Sequence, residues 1–206
     1  MELKTSNKEQ LILEVAEKLF IEKGYAGTKT TEIADDAGVN HALLHYYYRT
    51  KENLFSQIFE QKASELMGCF TIAFDIDSSF LEKLKGGIET HFDFLSKNPN
   101  LPLFILREII ADKDRKEYVL KNILPVGKEM FRKFKTVVRK EIRRGFIRPV
   151  RAADLLLNII SLNVFAFVAA QLLFDMDAEE DREKLRFFLE ERKRNNVELI
   201  INSLKP

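Results

Sequence analysis

The chain has 206 residues, 46% hydrophobic and 32% charged, with a formal net charge of +1. That balance excludes a disordered chain and one held to nucleic acid or membrane by net charge alone, and it leaves enough apolar residues for a sizeable core. The one cysteine, Cys69, excludes an intramolecular disulfide, and the opening MELKTSNKEQ lacks the apolar run of a secretory signal, so a cytoplasmic protein is expected.

Nearly every segment carries helical periodicity and none alternates convincingly as a strand does. The expected class is all-α, with about nine helices. The first helix is expected over residues 7–23, with Ser6 and Glu9 at capping-box spacing. Its buried stripe reads Leu11, Val15, Ala16, Leu19 and Phe20, and Gly24 ends it. A second helix spans 31–36. Ala37, Gly38 and Val39 form a tight turn, and a short third helix spans 41–47. Thr50 caps a fourth helix that starts at Lys51 and runs towards Cys69.

Longer helices follow over residues 79–97, 103–111, 127–144, 152–174 and 179–204, with prolines and Gly145 at the breaks. The expected division is a three-helix helix-turn-helix domain over 1–50 and a helical bundle over 51–206. The run Leu155 to Phe174 is long enough to span a bilayer, but Asn158, Ser161, Asn163 and Gln171 are spread around it. Such a polar load suits the interior of a soluble protein, so no membrane partner is expected.

The helix pair around Gly38 is a helix-turn-helix, with Ile33, Ala34, Val39 and Leu44 holding the crossing. It contains NHALLHYYYRTKEN, in which His41 and His45 lie four apart on one helix face. That is a zinc-ligand spacing, and it is also a pair of hydrogen-bonding groups suited to a DNA groove. Zinc takes three or four ligands. No cysteine is near, and His91 is on another helix, so no metal is expected; the pair either contacts DNA, as the docking geometry of this motif favours, or merely packs or points to water.

The run TTEIADDAGVNHALLHYYYRTKENLF, Thr30 to Phe55, resembles the DNA-binding domain of the TetR family of bacterial regulators. The shared elements are the paired threonines, Ile-Ala, Ala-Gly-Val, a short helix ending in aromatics, and Lys-Glu ahead of Leu-Phe. The preceding Gly24-Tyr25 also fits. The resemblance implies that the third helix enters the major groove. There His41, Ala42, Leu43 and His45, with Asn40 just ahead, would meet base edges. It places phosphate contacts at Thr30, Tyr46 and Lys51, and Tyr47 is expected to pack inward. The family often has Ser-Lys-Gly-Thr where this chain has Asn40-His41-Ala42-Leu43, which leaves the operator sequence unread. Residues 1–55 hold seven Lys or Arg against nine Asp or Glu, so modest affinity and reliance on a dimer are expected.

Fourteen of the seventeen phenylalanines lie beyond Cys69, most of them expected in the core. Phe80, Leu84, Ile88, His91 and Leu95 share one face, where His91 reads either as a hydrogen-bonded structural group or as a ligand contact. The resemblance implies a small apolar or amphipathic effector, for which Leu66, Phe70, His91, Phe134, Asn158 and Phe165 are the candidate contacts. It also implies a homodimer formed by the last two helices, with Leu185, Phe188, Leu189, Asn196 and Leu199 at the interface. Residues 128–151 hold ten basic and two acidic side chains, expected as a solvated face.

No G-x-S-x-G, Walker A or dinucleotide fingerprint occurs, so neither an enzyme nor a cofactor is expected. The expected function is a transcriptional regulator, in the family's usual sense a repressor released from a palindromic operator by its effector. The alternative is a DNA-binding protein of the same fold without an effector, architectural or partnered with another protein.

Overall fold

The computed structural model describes residues 2–72, 78–118, 120–121, 124–175 and 178–206. Among them are ten α-helices and no strand: α1 (Glu2–Gly27), α2 (Thr30–Asp36), α3 (His41–Tyr48), α4 (Lys51–Ile72), α5 (Phe80–Lys97), α6 (Leu101–Ala111), α7 (Lys113–Tyr118), α8 (Leu124–Arg143), α9 (Ala152–Leu173) and α10 (Glu179–Ser203). The helix beyond the expected set is α7, one short turn where Asp112 Oδ1 accepts from the Asp114 and Arg115 N–H groups.

Two compact units emerge. One holds Met1–Ser64 with Leu103–Val119, the other Glu65–Pro102 with Leu120–Pro206. The first runs past residue 50 because its aromatic core does. Phe55 of α4 meets Phe20 of α1 edge-on at 5.2 Å and Phe104 of α6 at 5.9 Å. On α1 the buried stripe is Ile12, Ala16, Leu19 and Phe20, whereas Leu11 is 41% exposed. Ile12 and Leu11 both fit the helical period, and a rotation of one residue decides between them. Gly24 takes φ 76° at a kink near the end of α1, and a side chain there would collide with Arg107 and Glu108 at 2.9 Å.

In the second unit, Phe80, Leu84 and Ile88 of α5 pack with Phe134 and Val138 of α8, Leu155 and Ile159 of α9, and Val197 and Ile200 of α10. Ser79 and Glu82 form a capping box at the start of α5. α8 ends at Gly145 (φ 72°), where the Phe146 and Gly145 N–H groups return to the carbonyls of Glu141 and Ile142.

By length and composition α9 is apolar enough to cross a membrane, with a mean hydropathy of 2.0. Two of its polar side chains, Asn163 and Gln171, nevertheless find partners within the chain. Asn163 is fully buried, donates to the Ile88 carbonyl at 2.9 Å and meets His91 Nδ1 at 3.1 Å. Asn196 donates to Asn163 Oδ1 at 3.1 Å, and Gln171 donates to the Pro99 carbonyl at 3.1 Å. This network satisfies buried amides that would otherwise cost about 1–3 kcal/mol each.

Candidate nucleic-acid interface

The turn between α2 and α3 is set by Gly38 at φ 61°. The Val39 N–H returns to the Ala34 carbonyl at 2.9 Å and the Gly38 N–H to Asp35 at 3.0 Å, which closes α2 and redirects the chain. Asn40 then caps α3, its side chain accepting from the Leu43 N–H at 2.7 Å. Ile33, Ala34, Leu44 and Tyr48 are buried behind the turn. That anchors α3 and leaves its other face free. His41, Ala42, His45 and Tyr46 are exposed on that face, and Leu43 is half-buried.

The two histidines lie together, ring centroids 4.7 Å apart and nearly perpendicular. Thr30 Oγ1 is 2.9 Å from His41 Nε2. Among the described residues no group of three or more His, Cys, Asp or Glu side chains is arranged to hold a metal ion. Tyr48, rather than Tyr47, is the fully inward tyrosine. Its hydroxyl donates to the Glu9 carbonyl at 3.2 Å, and burial pushes it up to about 12. Tyr47 is half-buried. Arg49, at φ 58°, carries the chain from α3 to α4, and Thr50 Oγ1 accepts from the Asn53 N–H at 3.1 Å at the head of α4.

Lys51 stands in that first turn, its ammonium 4.2 Å from the centroid of the Tyr25 ring. Burial and then the nearby Arg115 hold it below the usual lysine range. The Arg115 guanidinium lies 3.8 Å from the same ring centroid. Glu108, 3% exposed, pairs with Arg115 and accepts from the Tyr25 N–H at 2.9 Å. Sequence reasoning missed Glu108 and Arg115 as neighbours of Lys51. Their partner Tyr25 lies 83 residues from Glu108, and no local pattern reports such a pairing.

Residues 12–58 match the family described as bacterial regulatory proteins, tetR family. The chain thus carries a TetR-family helix-turn-helix domain. Among TetR-family and related proteins, it is 34% identical over 137 residues to the Bacillus subtilis HTH-type transcriptional regulator YttP, covering 63% of each chain. It is 27% identical over 94 residues to the nucleoid occlusion factor SlmA of Mannheimia succiniciproducens, covering 46% of this chain and 44% of SlmA. It therefore spans less than two thirds of the length of these curated relatives. The solved structure of the ketosteroid transcriptional regulator KstR2 of Mycobacterium tuberculosis superposes with a TM-score of 0.73 at 15% identity, over 96% of this chain and 95% of that one. At that identity the likeness is one of fold.

The second unit has an apolar cavity of about 70 Å³ lined by α5, α8 and α9, including Ile88, Met130, Phe131, Phe134 and Ile159. Of the expected effector contacts, Phe134 lines it. His91 does not; it is 1% exposed, bonded to Asn163, and pushed down to about 4 by burial. Asn158 and Phe165 face outward, Phe165 at 65% exposure, because residues 157, 161, 165 and 172 fall on the side of α9 away from the α5 contact. The Leu66 and Phe70 side chains lie outside the described residues.

On α10, Asn196 is buried within its own chain, donating to Asn163 and accepting from Arg192, and Leu189 packs against the cluster of Phe92, Leu95, Ala166 and Phe167. Leu185 and Phe188 are half-buried, with Phe188 against Phe174 at 5.4 Å. Leu199 is 58% exposed and Phe187 66%. The apolar stripe of α10 thus serves the fold first, and Leu199 with Phe187 remains outward. The basic side chains of α8 are exposed, and Arg132 pairs with Glu129 at 2.7 Å.

Proposed function

We propose that this TetR-family chain is a cytoplasmic DNA-binding transcriptional regulator that reads a palindromic operator as a homodimer. The observation that carries the reading is the exposed face of α3, where His41, Ala42 and His45 stand on a helix anchored from behind by Leu44 and Tyr48. A short anchored helix with small and hydrogen-bonding groups outward fits a major groove. The imidazoles reach base edges, and Ala42 meets a thymine methyl. Thr30, Tyr46 and Lys51 supply phosphate contacts around it, and Asn40 fixes where α3 begins.

Dimerisation rests on the side of α9 left open in a single chain. Leu157, Phe165 and Leu172 are each more than half exposed there, with Phe187 and Leu199 outward on α10. Aromatic and aliphatic side chains in such a row are ordinarily covered. Phe165→Glu should give monomers that no longer bind operator. Sedimentation of a stable dimer for that variant would move the interface elsewhere.

The regulator acts as a repressor that an apolar effector releases. The cavity around Phe134 is the entry point, and it must open, since about 70 Å³ is well below the roughly 300–1,000 Å³ of drug-sized ligand sites. α4 carries the chain from the first unit into the second as one continuous helix. Effector and operator then oppose each other with the same coupling, about 1–3 kcal/mol. The test is thermal-shift screening of apolar compounds, then titration of any hit with and without the operator duplex. Equal affinity in both titrations would remove the sensor role.

The small cavity favours a second reading, a regulator or DNA-bound factor controlled by a protein partner. Similarity to a protein named as a nucleoid occlusion factor points the same way. A screen that finds no ligand, together with intact operator binding, would select it.

A further inference from the structure

We propose that Thr30 is a positioning residue for base readout: its hydroxyl fixes the His41 ring so that His41 Nδ1 faces the DNA as a hydrogen-bond acceptor. The inference rests on the proposed reading that α3 enters the major groove. The His41 ring is held on two sides. Thr30 Oγ1 lies 2.9 Å from Nε2, and the His45 ring packs at 4.7 Å and 72°. The Asn40 cap fixes the backbone from which His41 springs. An exposed imidazole would otherwise lose rotamer freedom on binding.

Hydrogen-bond bookkeeping then selects the tautomer. A hydroxyl has one proton to give and lone pairs to accept with, whereas a phosphate oxygen only accepts. When the Thr30 hydroxyl donates to the backbone phosphate, it has only its lone pairs left for His41. His41 Nε2 must then carry the ring proton and donate to Thr30, and Nδ1 is left without a proton. A ring nitrogen of that kind accepts from an exocyclic amine, adenine N6 or cytosine N4, and does not suit guanine O6 or N7. Thr30 therefore has two linked duties. The phosphate that it touches orders the same proton chain that decides which base edge His41 accepts.

The experiment uses the full-length protein and a duplex selected by it from a random library, with a scrambled duplex as control. The readout is the ratio of the two affinities, in which a phosphate contact common to both duplexes cancels. Thr30→Val should lower the ratio about five- to tenfold, the size of one lost base contact. In a His41→Ala background the same change should lower it less than twofold, because the two residues act as one. Thr30→Ser should keep the ratio. Replacing the adenine or cytosine opposite His41 by its analogue without the amine should cost the wild type as much as His41→Ala does. A ratio untouched by Thr30→Val, or lowered equally in both backgrounds, would overturn the proposal. A wild-type ratio near one would instead overturn the reading of α3 as a base-reading helix.

Discussion

The three histidines divide between the two compact units, and the units treat them oppositely. His41 and His45 stand exposed on α3, with their polar atoms at or near the solvent. His91 is 1% exposed on α5, tied to Asn163, and burial keeps it neutral down to about pH 4. The difference lies in what surrounds each helix. α3 is short and buries one side against α1 and α2. α5 is wrapped by α9 and α10, which leaves a histidine at its centre no contact with water. A histidine on a helix is thus open to solvent in one unit, on the face proposed to read DNA, and a structural pin in the other.

The comparison breaks most severely at Asn163. Asn163→Ala removes a partner of His91, of the Asn196 amide and of the Ile88 carbonyl together. We expect a loss of about 3–5 kcal/mol in unfolding free energy, read by denaturant titration. A change under about 0.5 kcal/mol, the range of an ordinary surface substitution, would deny the network its structural role.

His91 supplies the next largest effect. Its folded pKa of about 4 lies below the ordinary 6.5, so the unfolded chain binds the proton more readily. Its contribution is therefore complete above pH 6.5 and is lost as pH falls towards 4, by about 3 kcal/mol in all. His91→Gln should flatten the stability curve over that window relative to wild type. Parallel curves for the two proteins would show that His91 is not buried neutral.

Lys51 gives the smallest effect, on the recognition side. Lys51→Ala should weaken binding to every duplex alike and lower the slope of log affinity against log salt by about one. A change confined to one base pair would make Lys51 a base reader.

Local features were legible in the sequence, and long-range ones were not. Gly38, the Thr50 cap and the aromatic end of α3 act over a few residues, and their chemistry restricts the backbone on the spot. Glu108 and Arg115 could not be read, because their partner Tyr25 is brought to them only by the packing of α6 and α7 against α1. On α10 the apolar stripe was legible but its destination was not. Asn196, Val197 and Ile200 serve the chain's own core, and only the burial of each side chain separates them from outward Leu199. Phe165 posed the same difficulty on α9, where nearly every position is apolar and periodicity gives no direction.

The most direct test of the account is the affinity of wild type and His45→Ala for the selected and scrambled duplexes, measured by fluorescence anisotropy beside unfolding curves for both proteins. The account predicts that His45→Ala loses about 1–3 kcal/mol on the selected duplex and little on the scrambled one, with stability within about 0.5 kcal/mol of wild type. Unchanged affinity for the selected duplex would contradict it, because the exposed face of α3 would then not be what reads the DNA.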